Sequence, residues 1–212
     1  MAIAFDASSI DTYHTNTVEI VFSHTCSGNN RILFVYAGIY SGSYDITGVT
    51  YNGVSLTKID GQAQDGNNKI SLWYLINPDS GTHDVSITTN DTVDLWGGAV
   101  SYTGVSQTDP INASSKGATG AATSFALSVT TDLDKCWSIM GVLNTGGAIT
   151  AGAGTTLREN DTASHLGILD SNSAISPAGS NTLTAEDSNQ IWGGVMAAFE
   201  PAATFIPQII IM

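Results

Sequence analysis

Nowhere in this chain do twelve or more successive residues keep helical periodicity with caps at both ends, whereas runs of strand length recur throughout. These runs, alternating or wholly apolar, cover residues 18–22, 31–40, 46–51, 55–59, 69–76, 83–88 and 96–103, then 124–130, 136–144, 155–158, 165–170, 181–185 and 192–199. Gly, Asn-Gly and Pro-Asp-Ser-Gly punctuate them, so the spacing predicts an all-β chain of short strands and tight turns. Only 12% of the 212 residues are charged, and Gly, Ser, Thr, Asn and Ala fill the balance. The length is enough for one large domain with a proper core. The expected fold is an antiparallel β-sandwich.

Tyr51-Asn52-Gly53-Val54 carries the clearest local signal, because Asn-Gly readily supplies the two positive φ values of a type I′ hairpin turn. Around it, alternation sends Val49, Tyr51, Val54 and Leu56 to the core face and Thr50, Ser55 and Thr57 to the wetter one. The nearly continuous apolar runs 31–40 and 136–144 read as central strands covered on both faces. Leu95-Trp96-Gly97-Gly98-Ala99-Val100 is echoed by Ile191-Trp192-Gly193-Gly194-Val195-Met196. Two weaker echoes keep the same order, Pro78-Asp79-Ser80-Gly81 with Pro177-Ala178-Gly179-Ser180, and Gly53-Val54-Ser55-Leu56 with Gly154-Thr155-Thr156-Leu157. We read two pseudo-repeated halves, about 17–105 and 123–200, merged into one sandwich over residues 1–200. The Gly- and Ala-rich stretch 106–123 is then a linker or crossing loop, and 201–212 an apolar tail.

Nineteen acidic against six basic side chains give a formal net charge of −13, which repels phosphate and argues against nucleic-acid binding. No segment approaches the ~20 apolar residues of a membrane span. The first six residues lack a basic and then apolar leader, so the expectation is folding in a reducing cytoplasm. Cys26 and Cys136, in no paired or zinc-like spacing, read as buried free thiols, with a disulfide as the alternative.

No catalytic motif is found. His14, His24, His83 and His165 have no local metal-pair spacing, and no G-x-S-x-G, H-E-x-x-H or P-loop pattern occurs, although long-range Ser and His partners are invisible to such a search. The loop 60–68, with Asp60 and Asp65 among glycines and amides, is a weak calcium candidate that a solvated hairpin tip explains equally well. Asp132-Leu133-Asp134 reads as a polar turn before a core strand. The Trp-Gly-Gly pairs read as core, an indole beside residues without side chains, rather than as sugar-stacking tryptophans. No cofactor is implied. The tail residues Phe205, Ile206, Ile209, Ile210 and Ile211 form a segment that needs covering, by an edge strand of this chain or by another subunit.

The segments Met1-Ala2-Ile3-Ala4-Phe5-Asp6, Phe22-Ser23-His24-Thr25-Cys26, Asn30-Arg31-Ile32-Leu33-Phe34-Val35, Val49-Thr50-Tyr51-Asn52-Gly53-Val54, Trp73-Tyr74-Leu75-Ile76-Asn77-Pro78 and Ala99-Val100-Ser101-Tyr102-Thr103-Gly104-Val105 together resemble a group of uncharacterised β-sandwich proteins of tailed phages and bacteria. The resemblance covers about residues 1–200. It implies a jelly-roll or lectin-like sandwich of the kind used as capsid cement, decoration or fibre protein. It supplies no catalytic residues. Two functions follow as expectations. One is a non-enzymatic virion surface protein, made in the host cytoplasm, that contacts the major capsid protein or another virion protein as a homo-oligomer, a trimer being favoured. The other is a glycan- or receptor-binding module in which exposed aromatics among Tyr13, Tyr36, Tyr40, Tyr44 and Trp73 stack on sugar.

Overall fold

The computed structural model describes residues 1–11, 13–63, 67–161 and 166–203. Among them no helix occurs, and fourteen strands form two antiparallel sheets packed as a β-sandwich. The first sheet holds β1 (Ala4–Ile10), β2 (His14–Cys26), β3 (Ile32–Tyr40), β4 (Ile46–Tyr51), β5 (Val54–Ser55), β6 (Thr57–Ala63), β7 (Asn68–Ile76) and β8 (Gly81–Thr103). The second holds β9 (Ile111–Thr130), β10 (Trp137–Asn144), β11 (Thr150–Ala151), β12 (Thr156–Asp161), β13 (Leu166–Asp170) and β14 (Ser180–Phe199).

Each sheet is organised by one long strand. The second half of β8 lies between β1 and β3, its first half between β2 and β4, and the sheet continues from β3 to β7 and β6. In the second sheet β14 runs along β9 on one side and along β10 and then β11 on the other, and β10 leads on to β13 and β12. Both long strands were read from the sequence as two runs apiece. Asn90-Asp91-Thr92 and Asp187-Ser188-Asn189 interrupt the apolar pattern where each strand bends, and the neighbouring ladders shift register there. The stretch 106–123 is also corrected: from Ile111 onward it is the first part of β9, paired with β14. Its Ala, Ser, Gly and Thr residues alternate no hydrophobic face, so the strand is imposed by the ladder and not by burial of its own side chains. The segment Ala4–Ile10, absent from the sequence reading, is likewise held by its ladder to β8.

Three apolar clusters follow from the two faces of each sheet. One is private to the first sheet, with Leu33, Val35, Val49, Tyr51, Trp73, Val85 and Ile87. A second is private to the other sheet, with Phe125, Met140, Val142, Leu183 and Trp192. The largest is shared and contains Phe34, Tyr36, Trp96, Val100 and Tyr102 from one sheet, and Trp137, Ile139, Leu166, Ile168 and Phe199 from the other. Close approach depends on missing side chains: the Tyr36 ring lies on Gly141, where an added Cβ would stand 2.2 Å from it, and the Trp96 indole lies on Gly38.

All four tryptophans are core residues, as the Trp-Gly-Gly reading required, but the two echoed indoles are not equivalent. Trp96 is six residues before Tyr102 and shares its face toward the common core; Trp192 is seven before Phe199 and points the other way, into the private core of its own sheet. The Asn52-Gly53 turn has the expected φ values of 48° and 75°. Val49, Tyr51 and Leu56 are buried, yet Val54 is 48% exposed because it sits at the hairpin tip beyond the cover of the sheet. Cys26 and Cys136 are buried free thiols.

One polar joint crosses the shared core. Asp170 of β13 is fully buried and accepts the Tyr102 hydroxyl from β8 at 2.7 Å and Arg158 Nε from β12 at 2.7 Å. Arg158 also covers the Phe5 ring of β1, 4.1 Å from its centroid. Removing the cation leaves a buried carboxylate that keeps the Tyr102 hydroxyl and the Asn172 N–H but has no counter-charge. Arg158→Leu should therefore cost about 3–5 kcal/mol in urea unfolding, whereas Arg158→Leu with Asp170→Leu should recover most of that loss. Equal losses in the single and double variants would show that the pair is not coupled.

Candidate functional site

The bend of β8 makes a polar corner, because Asn90, Asp91 and Asp94 replace core residues there, and Tyr13, Asn16 and the 41–45 connection reach it. Three tyrosines stand at this corner with 39% (Tyr13), 53% (Tyr40) and 36% (Tyr44) of their surface exposed. The other two aromatic candidates are excluded, since Tyr36 is fully buried in the shared core and Trp73 is buried in the private one. Their runs alternate in a strand covered on both faces, so sequence position alone could not tell them from Tyr40 at the strand end.

Asp94 organises the corner. Its Oδ2 accepts the Tyr13 hydroxyl at 2.5 Å and its Oδ1 the Asn16 N–H at 3.1 Å. That hydrogen bond to a carboxylate, with partial burial, pushes the Tyr13 phenol up to about 12. The Tyr13 ring also rests against Trp96, centroids 5.7 Å apart. Tyr40 is the cross-strand partner of Asp94, which puts both side chains on one face. Tyr44 stands against Asp91, whose carboxylate raises its pKa. Its loop is pinned by Ser41 Oγ accepting the Tyr44 N–H at 2.9 Å and by Asn90 Oδ1 accepting the Asp45 N–H at 2.9 Å. The corner thus holds Tyr13 and Tyr44 against carboxylates before any ligand arrives, with the exposed Tyr40 beside them, interleaved with carboxylates and amides that accept and donate hydrogen bonds.

Beside it lies a cleft of about 460 Å³, between the 45–46 segment and the β6–β7 hairpin, lined by Ile39, Asp45, Ile46, Lys58, Lys69 and Ser71 among others. Lys69 Nζ bridges Asp45 Oδ1 and the Tyr44 carbonyl, both at 2.9 Å, which ties the cleft wall to the tyrosine loop. Asp60, the described member of the calcium pair, gives Oδ1 to Lys116 Nζ at 2.8 Å and to the Gly61 N–H. Burial pulls this carboxyl upward, but Lys116, the Gly61 amide and Lys58 outweigh it and hold the group below the ordinary range. Asp65 lies outside the described residues, as do His165 and the tail positions Phe205, Ile206, Ile209, Ile210 and Ile211. Among the described residues no group of three metal-ligating side chains assembles. Asp132 and Asp134 serve the polar turn expected of them, accepting from Asn112 and from the Ala178 N–H.

The fold makes one Ser–His contact that no sequence spacing revealed: Ser9 Oγ lies 2.8 Å from His24 Nδ1, across β1 and β2. His24 is 2% exposed, opposite His83 in the ladder and edge-on to Tyr51. Its Nε2 has no partner among the described residues, and the nearby Asp6 instead accepts from Ser27 and Ser101. A nucleophile with its base buried and no acid orienting that base is not a hydrolytic triad.

No family model matches the chain, and neither a curated protein nor a solved structure matches it.

Burial lowers the His24 pKa from 6.5 to about 4, against a weaker upward pull from Asp6. The folded state therefore holds this imidazole neutral while the unfolded chain takes up a proton. The stability it contributes is present above pH 6.5 and is lost as pH falls toward 4, about 3 kcal/mol in full. Urea midpoints at pH 7 and pH 4.5 should converge in a His24→Gln variant relative to the parent; a parallel fall in both proteins would assign acid sensitivity to other groups.

Proposed function

We propose that this protein is a non-enzymatic binding protein of a virion surface that recognises carbohydrate through the tyrosine corner of β8. The single observation that carries the glycan part is the cluster of three exposed tyrosines around Asp94 and Asp91, two of them held by those carboxylates. A pyranose ring has one face of C–H groups and a rim of hydroxyls. Aromatic rings accept the first through apolar contact, and neighbouring carboxylates and amides accept the second. Tyr presents such a surface with little side-chain entropy to lose, the more so when its hydroxyl is already bound.

The virion setting rests on the resemblance over residues 1–200 and on a surface poor in basic side chains, six in the whole chain. In this reading the tail carrying Phe205, Ile206, Ile209, Ile210 and Ile211 engages a capsid protein or a second copy, by adding a strand to an exposed sheet edge. Deleting 205–212 should abolish oligomerisation or particle occupancy while leaving glycan binding intact; unchanged occupancy on purified particles removes the tail from the account.

For the corner itself, a glycan array should return a defined set of hits. Tyr40→Ala and Tyr13→Ala should each weaken the best hit by tenfold or more, about 1.4 kcal/mol. Tyr40→Ala, at an exposed strand end, should leave the melting temperature within about 2 °C of the parent. An array without hits, or hits indifferent to both substitutions, would overturn this assignment.

A further inference from the structure

We infer that the cleft beside the tyrosine corner binds the carboxylate of an acidic sugar, a uronic or sialic acid residue; this rests on the glycan reading above and names its ligand class. Charge is the first ground. The chain has only six basic side chains against nineteen acidic ones, and two of the six, Lys58 and Lys69, line this cleft with Asp45 and Asp60, the latter also neutralised by Lys116 of β9. In a chain with this excess of acidic groups, a lining whose charges balance opposes an anion less than the average surface does.

The second ground is how these cations are engaged. Lys116 is spent on Asp60 at 2.8 Å, and Lys69 is held at the rim by Asp45 and the Tyr44 carbonyl. Lys58 differs from both. Among the described residues its Nζ makes no ion pair and no hydrogen bond; it stands over the Trp73 ring, 5.6 Å from the centroid, close enough to Asp60 for the carboxylate to feel its charge. Trp73 is itself fixed, its Nε1 donating to Ser71 Oγ at 2.8 Å on the cleft floor. A side chain at position 61 would meet the end of Lys58, and the glycine there leaves that approach clear. The result is an ammonium group in a concave site, steadied over an aromatic face, with its hydrogen-bonding capacity unused.

Shape supplies the third ground. About 460 Å³ suits one or two sugar residues, and Ile39 and Ile46 provide an apolar wall for the ring while Lys58 meets its carboxylate. Asp45 and Ile46 follow Tyr44 directly in the chain, so a glycan lying on Tyr44 has its neighbouring residue beside the cleft. The lysine would bind as a point charge, so the interaction is salt-sensitive.

The test uses the full chain and compares 3′-sialyllactose and glucuronic-acid-terminated oligosaccharides with lactose by calorimetry, and glucuronate with inorganic phosphate by amide chemical-shift mapping. Acidic glycans should bind at least tenfold tighter than lactose in 50 mM salt, and the preference should shrink at 500 mM. Lys58→Met, which keeps an apolar stem over Trp73, should erase the preference and leave lactose affinity and melting temperature unchanged; Lys58→Arg should retain most of it. Equal affinity for acidic and neutral glycans, or a preference untouched by Lys58→Met, overturns the inference while the corner reading stands. Shifts at Ile46, Gly61 and Ser71 with glucuronate, in a protein that binds no larger glycan, would keep the cleft and remove the corner. Shifts of equal size with phosphate would show a non-selective anion site and also overturn the inference.

Discussion

Asp170 is a charge with no exposed surface, and its side-chain partners come from different sheets, Tyr102 from the first and Arg158 from the second, with the Asn172 N–H as a third donor. Around that joint the rings of Phe34, Tyr102, Trp137 and Phe199 meet at centroid distances of 4.9–6.2 Å, tilted or edge-on as aromatic quadrupoles prefer. Apolar packing gives the two sheets a reason to associate but leaves their relative position loosely determined. A buried carboxylate with a directional partner on each sheet fixes it, because any sliding strands the charge. The sheet geometry that aims β8 and its bend outward is set from this point.

The corner follows from what a long strand must do to serve two cores. The first half of β8 gives Val85 and Ile87 to the private cluster of the first sheet, and its second half gives Trp96, Val100 and Tyr102 to the shared one. Between them the apolar pattern is interrupted, although Val93 and Leu95 still point into the private cluster. Asn90, Asp91 and Asp94 make the interruption, and the adjoining connections bring Tyr13 and Tyr44 to its two sides. The same polar break is the surface proposed above to meet a ligand. Tyr13 is braced by Trp96 below and Asp94 beside it, which joins the exposed ring to the shared core through a single indole.

Much of this was readable in the sequence where side-chain chemistry is decided locally. Alternation and turn residues pointed to an all-β sandwich, and Asn52-Gly53 to its hairpin, because positive φ values and period-two burial leave direct marks. Arg31 to Tyr40 was marked as a covered central strand by its unbroken apolar run, and β3 lies between β7 and β8. What escaped was decided by partners. The first part of β9 is a strand because β14 offers it a ladder, and its small residues carry no pattern of their own. Trp192 faces away from the side that its echo of Trp96 suggested, since a one-residue difference in spacing to the shared core reverses every side chain. Of the five aromatic candidates, three were exposed and two buried, a distinction that depends on where the opposing sheet ends. The Ser9–His24 contact and the Lys116–Asp60 ion pair depend on which strands and sheets the fold brings together, and no spacing rule reaches them.

The central claim is that the bend of β8 is a preorganised carbohydrate-binding face, and mapping a bound glycan on the folded protein tests it most directly. In a titration of the isotope-labelled chain with an oligosaccharide that it retains, the account predicts amide shift changes concentrated at Asn16, Tyr40, Tyr44, Asp91 and Asp94. The buried cores and the far end of the sandwich, including Leu133 and the 176–179 turn, should stay unperturbed. Shifts centred anywhere else on the surface would contradict it.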